Sequence, residues 1–257
     1  MIMDLSIIVV HYNTPELLRA CLRSIFSHSY DFKFEVIVVD NASCIFDGVV
    51  KDFPQVRVIR NIRNLGYARA NNQGIKEAAG KYVLFLNPDT ELRKNHLEAM
   101  VKYMKSNPDI GILGPKLLFP DGTIQLSCRK FYTLRAILSR RIPLYKLLFG
   151  SRQADEHTMS GWSHDSSLEV DWLIGACILI ERRVLECLGG FDEGYKIYFE
   201  DVDLCYRVKK LGFKVVYSPD FEVIHHHRRE SANPLSRKAI QHIFSAARFF
   251  RKYGWVI

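Results

Sequence analysis

Apolar positions along the chain follow two rhythms. Leu5 to Val10 is an unbroken apolar run, as expected of a strand buried on both faces. Thr14-Pro15 then offers an N-cap residue and a proline for the first helical position. Leu17, Leu18, Cys21, Leu22 and Ile25 follow at helical spacing. Glu35 to Val39, Val56 to Ile59, Tyr82 to Leu86 and Ile110 to Leu113 predict further strands. Tyr67 to Ala79, stopped by Gly80, and His96 to Lys105 predict helices. Phe119-Pro120-Asp121-Gly122-Thr123 is turn chemistry that closes a hairpin. Periodicity is weak from Arg129 to about Ser166, which predicts irregular or short helical structure. Beyond it come a strand at Ala176 to Ile180, a helix at Arg182 to Leu188 ended by Gly189-Gly190, and a helix at Asp201 to Leu211. A strand at Lys214 to Tyr217 and a last helix at Ser236 to Tyr253 complete the pattern. The βαβα alternation implies an α/β fold, with a mostly parallel sheet and helices on both faces. The simplest division is one domain over 1–235 and a C-terminal amphipathic helix over 236–257.

Composition narrows this only a little. Of 257 residues, 48% are apolar and 25% charged, which excludes disordered, collagenous and small disulfide-stapled chains. No apolar run approaches the ~18 residues that span a bilayer. An acid before the first apolar run, with no basic segment, reads as a buried strand and not a leader. Six cysteines without a C-x-x-C pair predict reduced thiols in a cytoplasmic protein. Charge changes the picture more. The net charge is +8, yet Arg129 to Arg152 carries +7 and His225 to the C-terminus +6, leaving −5 for the rest. An acidic body with two basic, aromatic-rich strips suggests an anionic partner: nucleic acid, lipid or a phosphorylated substrate.

In open α/β sheets ligands bind beyond the carboxyl ends of the strands. His11, Tyr12 and Asn13 follow the first strand, Asp40, Asn41 and Ser43 the second, and Asn87, Pro88, Asp89 and Thr90 the strand at 82–86. Neither G-x-G-x-x-G nor a Walker motif is present, so nucleotide phosphates need another neutraliser, most simply a divalent metal. Asp89 is the natural hard-oxygen ligand for Mg²⁺ or Mn²⁺; its bland alternative is a turn-and-cap aspartate. Asp40 has the same alternative, or accepts the imide N–H of a pyrimidine while Tyr12 stacks on the ring. Tyr198-Phe199-Glu200-Asp201-Val202-Asp203 sets three acids at a helix start. Acids favour that position for the helix dipole alone, but beside an apolar pocket one can serve as a general base. His225, His226 and His227 read equally as metal ligands, a surface cluster or a pH-sensitive patch.

These residues resemble those of the family 2 glycosyltransferases, and within them the bacterial rhamnosyltransferase-like enzymes that build cell-surface polysaccharides. The matching segments are VVHYNT (9–14), VVDNAS (38–43), NLGYARANNQGI (64–75), YVLFLNPDT (82–90), DWLIGACILIERRVLECLGGFDE (171–193), YFEDVDLCYRVKKLGFKVVYSPD (198–220) and VIHHH (223–227). They stand in the family's order and leave only 125–165 largely uncovered. The resemblance implies a GT-A fold, with a nucleotide-binding part over about 1–115 and an acceptor-binding part over about 116–235. It implies inverting, metal-dependent transfer from a nucleoside-diphosphate sugar, with thymidine- or uridine-linked donors, to a glycan or lipid-linked glycan acceptor. Carried over residue by residue, Tyr12 and Asp40 bind the base, and Asn72 and Asn87 lie near the nucleotide. Asp89 and His225 hold Mg²⁺ or Mn²⁺, and Asp201 is the catalytic base. Trp172, Gly175 and Glu200 shape the acceptor or sugar pocket. Asn87 stands where many members have the first aspartate of an Asp-x-Asp motif, which leaves one carboxylate fewer for the metal.

Two competing readings fare worse. A sugar-nucleotide pyrophosphorylase begins with a glycine-rich loop and a lysine, which VVHYNT lacks. A non-catalytic basic module has no need of acids at 40, 89 and 201. The basic strips then suit an anionic membrane surface and not nucleic acid, and place the enzyme at the cytoplasmic face of the inner membrane. In the last helix Ala239, Ile240, Ile243, Phe244, Ala247 and Phe250 form an apolar stripe beside Arg237, Lys238, Arg248, Arg251 and Lys252. Phe131, Leu138, Leu147, Phe249 and Phe250 are the candidates for apolar insertion.

Overall fold

A computed structural model describes residues 3–133, 152–226 and 237–254. The first half lays down β1 (Leu5–His11), α1 (Pro15–Phe26), β2 (Phe34–Asp40), α2 (Asp47–Val50), β3 (Arg57–Arg60), α3 (Tyr67–Glu77), β4 (Tyr82–Leu86), β5 (Thr90–Leu92) and α4 (His96–Ser106). The second half adds β6 (Ile110–Leu118), β7 (Ile124–Gln125), β8 (Cys128–Arg129), α5 (Arg152–Thr158), β9 (Leu168–Glu169), β10 (Trp172–Leu173), β11 (Cys177–Glu181), α6 (Arg182–Leu188), α7 (Glu200–Lys210), β12 (Lys214–His225) and α8 (Arg237–Tyr253). The main sheet runs β3-β2-β1-β4-β11-β6-β12-β5, and β8 pairs with β10 in a separate ribbon. The stretch β3-β2-β1-β4 is parallel. Beyond it the sheet is mixed, because β11 enters antiparallel to both β4 and β6.

The apolar runs are continuous because both faces of the sheet are covered. Leu5, Ile7 and Val9 of β1, Val36 and Val38 of β2, and Leu84 and Leu86 of β4 point to one side. There they meet Leu18, Cys21, Leu22 and Ile25 of α1 and Leu97, Met100, Val101 and Met104 of α4. The alternate residues Ile8, Ile37, Val39, Val83 and Phe85 face the other side, in a second buried cluster with Ala68 and Ala70 of α3, Val202, Cys205 and Val208 of α7 and Phe249 of α8; α3 lies over β1 and β2. Successive strand side chains point to opposite faces, so each strand serves two cores.

Several boundaries depart from the sequence pattern. Thr14 makes no side-chain cap for α1; its own N–H donates to His11 Nε2 at 3.0 Å instead. Gly80 does not end α3, which stops at Glu77. It lies against β1, where a Cβ would sit 2.4 Å from the Ser6 nitrogen. β6 continues through Gly114-Pro115, and β12 runs through Ser218-Pro219-Asp220 to His225 with a register shift between Ser218 and Glu222. That irregularity lets strand pairing resume after residues that normally punctuate it. The hairpin turn is as expected: Phe119 N–H donates to Thr123 O at 2.8 Å. Gly189 ends α6 in the left-handed region at φ 69°. All six cysteines are free thiols. Leu138, Leu147, His227 and most of the first basic strip lie outside the described residues.

Candidate active site

The parallel strands end together. His11 and Asp40 are the last pair of the β1–β2 register, and Asn87 to Asp89 follow β4. Above this edge opens a cleft of about 1,060 Å³, whose lining includes Tyr12, Asn41, Arg63, Asn64, Tyr67, Arg69, Asn87, Asp89 and Lys196. Arg63, Arg69 and Lys196 outnumber the acids Asp89 and Glu193 in a lining that also holds Val10, Leu17, Leu65, Pro88 and Ile197, so the cleft offers both positive charge and apolar surface. Tyr12 is 48% exposed and presents its ring to solvent. Gly66, which precedes α3, has φ 86°, and a Cβ there would lie 2.8 Å from the Lys196 carbonyl oxygen. Only glycine allows the 61–66 turn and the 194–197 segment to close so tightly over one side of the cleft.

Asp40 is buried behind this edge and is not part of the cleft lining. Its carboxylate accepts the Ser43 N–H at 3.2 and 3.4 Å, and Oδ1 lies 3.3 Å from His11 Nδ1. His11 Nε2 accepts from Thr14 N–H, which puts the ring proton on Nδ1, toward Ser43 Oγ at 3.0 Å and Asp40. Burial lowers the His11 pKa and keeps the ring neutral.

Asp89 and His225 meet at the far end of the cleft. β5 runs antiparallel to β12 with Thr90 opposite His225, and His226 N–H donates to the Asp89 carbonyl at 2.8 Å. This brings His225 Nε2 to 3.4 Å from Asp89 Oδ1. His226 turns the other way and pairs with Glu91 at 2.6 Å. Among the described residues no three His, Cys, Asp or Glu side chains converge on one point. One hard carboxylate and one imidazole fit a divalent ion that takes its other ligands from diphosphate oxygens and water, which is how Mg²⁺ sites are commonly completed.

Glu200 and Asp201 open α7. Asp201 Oδ2 accepts from Gly175 N–H at 3.2 Å and Oδ1 from Val202 N–H at 2.9 Å. The Gly175 carbonyl in turn accepts the Tyr67 hydroxyl at 3.0 Å. A Cβ at Gly175 would lie 3.4 Å from the Asp201 Cβ, an ordinary van der Waals contact. Asp201 is therefore one contact removed from the cleft lining, through Gly175 and Tyr67. Burial raises its pKa, and the Gly175 and Val202 N–H groups hold it back. Glu200 is more deeply buried, with Oε2 lacking a hydrogen-bond partner. Burial first, then the neighbouring Asp201 charge, push it up to about 8. Burial and these two carboxylates also raise the Tyr67 phenol.

Two expected site residues stand elsewhere. Asn72 is turned into the protein: Nδ2 donates to Phe191 O at 2.9 Å and Glu193 Oε1 at 3.1 Å, and Oδ1 accepts from Phe191 N–H at 2.8 Å. It staples α3 to the 189–193 loop and does not line the cleft. Trp172 is buried, with Nε1 donating to Lys130 O at 3.0 Å and its ring stacked on Tyr132, so packing accounts for its contacts. The pattern reading missed Arg63, Tyr67, Arg69 and Lys196. The first three lie in or beside the quoted 64–75 segment, where their clustering was the available signal; Lys196 carries none.

A glycine-shaped turn, a cleft with three basic residues at the strand ends and the Asp89–His225 pair beside it thus lie together on one edge of the α/β sheet. The profile of the family described as Glycosyl transferase family 2 matches residues 6–162, and the chain belongs to that family. It is 32% identical, over 98% of its own length and 86% of the relative's, to an N-acetylglucosaminyl-diphospho-decaprenol L-rhamnosyltransferase of Mycobacterium tuberculosis. It is 26% identical to Rhamnosyltransferase WbbL of Escherichia coli, over 96% and 92% of the two chains. Among solved structures, GalNAc-T7 with UDP, GalNAc and Mn²⁺ superposes with a TM-score of 0.73 at 18% identity, covering 97% of this chain and 48% of that one. A mannosyltransferase from Pyrobaculum calidifontis with GDP-Man and Mn²⁺ gives 0.61 at 21% identity, covering 96% and 65%. The GT-A expectation is met, with the sheet mixed beyond β4.

Proposed function

We propose that this glycosyltransferase is inverting and metal-dependent, and moves a sugar from a nucleoside diphosphate to a hydroxyl of a lipid-linked glycan precursor. Thymidine-diphosphate rhamnose is the leading donor, supported by the two rhamnosyltransferase relatives, and a uridine-diphosphate sugar is the runner-up. The observation that carries the reading is the cationic cleft at the parallel strand ends, with the Asp89–His225 pair on one side of it. In this reading residues 1–115 bind the nucleotide and 116–235 the acceptor.

Tyr12 offers its exposed ring to the base. Asp40, whose carboxylate has about four acceptor sites, takes the imide N–H beside its bonds to Ser43. Arg63, Arg69 and Lys196 face the diphosphate, and Asp89 with His225 would hold Mg²⁺ or Mn²⁺. When bound, that ion supplies charge neutralisation for the departing diphosphate. The acceptor oxygen attacks the anomeric carbon from the face opposite the leaving group. The new C–O bond forms as the bond to phosphate breaks, the diphosphate leaves with the electron pair, and the hydroxyl proton passes to Asp201. The Gly175 and Val202 N–H groups fix the Asp201 oxygens for that transfer. Glu200 and Gly175 border the base on the acceptor side.

A thermal-shift screen of nucleotide sugars with Mn²⁺ present tests the donor. A true donor at 100 times its dissociation constant adds about 2.7 kcal/mol of stability. Asp201→Asn should keep that donor shift and lose at least about 100-fold in transfer. Retained transfer in Asp201→Asn, or full activity of the wild type in excess EDTA, would overturn the mechanism.

A further inference from the structure

The β6–β7 hairpin carries a buried side chain that the mechanism above does not use. Gln125 of β7 lies beside Leu117 of β6, and β6 is also the neighbour of β12, pairing with it as far as Leu118 opposite Ile224. Just past that last pair, Gln125 Nε2 donates to the His225 carbonyl at 2.7 Å. Gln125 Oε1 lies 2.8 Å from His225 Nδ1. Both residues are buried.

These two contacts fix each other. The His225 carbonyl is only an acceptor, so the amide must turn its NH₂ toward it. The amide oxygen is then the atom facing Nδ1, and an amide oxygen can only accept. The ring proton therefore sits on Nδ1, and Nε2 is the nitrogen directed at Asp89, 3.4 Å away. Histidines that bind metals commonly donate their other ring N–H to a carbonyl or carboxylate in this way, which sets both tautomer and ring orientation. Here a side-chain amide takes that part, and it is anchored to the backbone of the histidine it orients.

We propose that Gln125 is a positioning residue for His225, holding it as the Nδ1–H tautomer with Nε2 presented beside Asp89 to a divalent ion. The inference rests on the reading of Asp89 and His225 as metal-holding residues. It concerns a residue outside the cleft lining, whose substitution should act through the ring.

Two measurements on the full chain test it. The first is the ring ¹⁵N shifts of His225 in ¹⁵N-histidine protein without metal at alkaline pH, assigned by comparison with His225→Ala. Wild type should show the Nδ1–H pattern and Gln125→Leu should lose it. The second is Mn²⁺ affinity in the presence of thymidine diphosphate, read by electron paramagnetic resonance. Gln125→Leu should weaken it by about 10- to 100-fold. If Gln125→Leu does not fold, wild type still decides, because an Nε2–H pattern in it overturns the proposal. Unchanged ring shifts and Mn²⁺ affinity in Gln125→Leu overturn it as well. If His225→Ala weakens Mn²⁺ binding and Gln125→Leu does not, the positioning role fails while the metal reading stands. If His225→Ala has no effect, the metal reading fails and takes this inference with it.

Discussion

Single residues here are governed by what burial does to their charge. Asp201 and Glu200 are adjacent carboxyls at one helix start, yet their surroundings differ. Asp201 has two backbone N–H donors, while Glu200 Oε2 has no partner and its pKa is pushed up to about 8. At neutral pH Glu200 is mostly protonated, which spares Asp201 a like charge beside it. The effect on stability follows from linkage: Glu200 binds its proton more tightly folded than unfolded. Its contribution is intact below the unfolded value and is lost as pH rises toward 8. Glu200→Gln keeps the shape and removes the titration. It should therefore be more stable than wild type at pH 9, by on the order of 1–3 kcal/mol, and nearly equal at pH 4. Urea unfolding at the two pH values checks this; a gain that is the same at both would refute it. The sequence made the acid cluster visible. It did not show which acid would be solvated, because that depends on Gly175, contributed by a distant segment.

At the scale of elements, α1, α4 and α7 were legible because each buries one stripe, which leaves a clean helical period. Strand ends were less so. Gly114-Pro115 and Ser218-Pro219-Asp220 read as stops, but the β6–β12 pair absorbs them through a register shift. The last helix was legible as an element and misleading in its contacts. Its apolar stripe suggested a free surface, yet Phe249 is fully buried and Phe250 nearly so. Two of its basic residues are also engaged. Arg248 donates to both oxygens of Asp192 at 2.9 and 3.1 Å. Lys252 reaches Asp192 at 2.9 Å and the fully buried Asp203 at 2.8 Å. α8 thus clamps the helix that carries Asp201, and Ser245 Oγ donates to Ile197 O beside the cleft at 2.9 Å. Lys252→Ala removes one partner of a buried carboxylate and should cost about 2 kcal/mol. Arg251→Ala, at an exposed position of the same turn, should stay within about 0.5 kcal/mol. Equal losses in chemical denaturation would show that the clamp is not structural.

For the whole molecule, the charge count located a basic C-terminal region but not the surface it presents. With Arg248 and Lys252 paired to acids of the body and Phe131 half-buried against Tyr206, the large apolar side chains exposed on the described part of α8 are Ile240, Ile243 and Phe244, at 48, 61 and 71% exposure. Their spacing of three and four residues puts them on one face, opposite the face that holds Phe249. Among the described residues no helix is long and apolar enough to cross a membrane. Full burial of each such side chain stabilises by roughly 1.5–3 kcal/mol, and each lysine or arginine near an anionic leaflet adds about 1 kcal/mol. On these figures, partial insertion of three side chains with a few nearby cations would be enough for reversible attachment to an anionic surface. The full-length protein should therefore co-sediment with anionic vesicles at low salt, weakly with neutral ones, and less as salt screens the attraction. Changing Ile240, Ile243 and Phe244 together to serine should lower the partition coefficient at least about tenfold with little loss of thermal stability. Phe249→Ala, which opens a cavity between α7 and α8, should cost about 3–5 kcal/mol of stability instead. A wild-type protein that stays in the supernatant at low salt, or a triple variant that binds as wild type does, would remove this face of α8 as the docking surface.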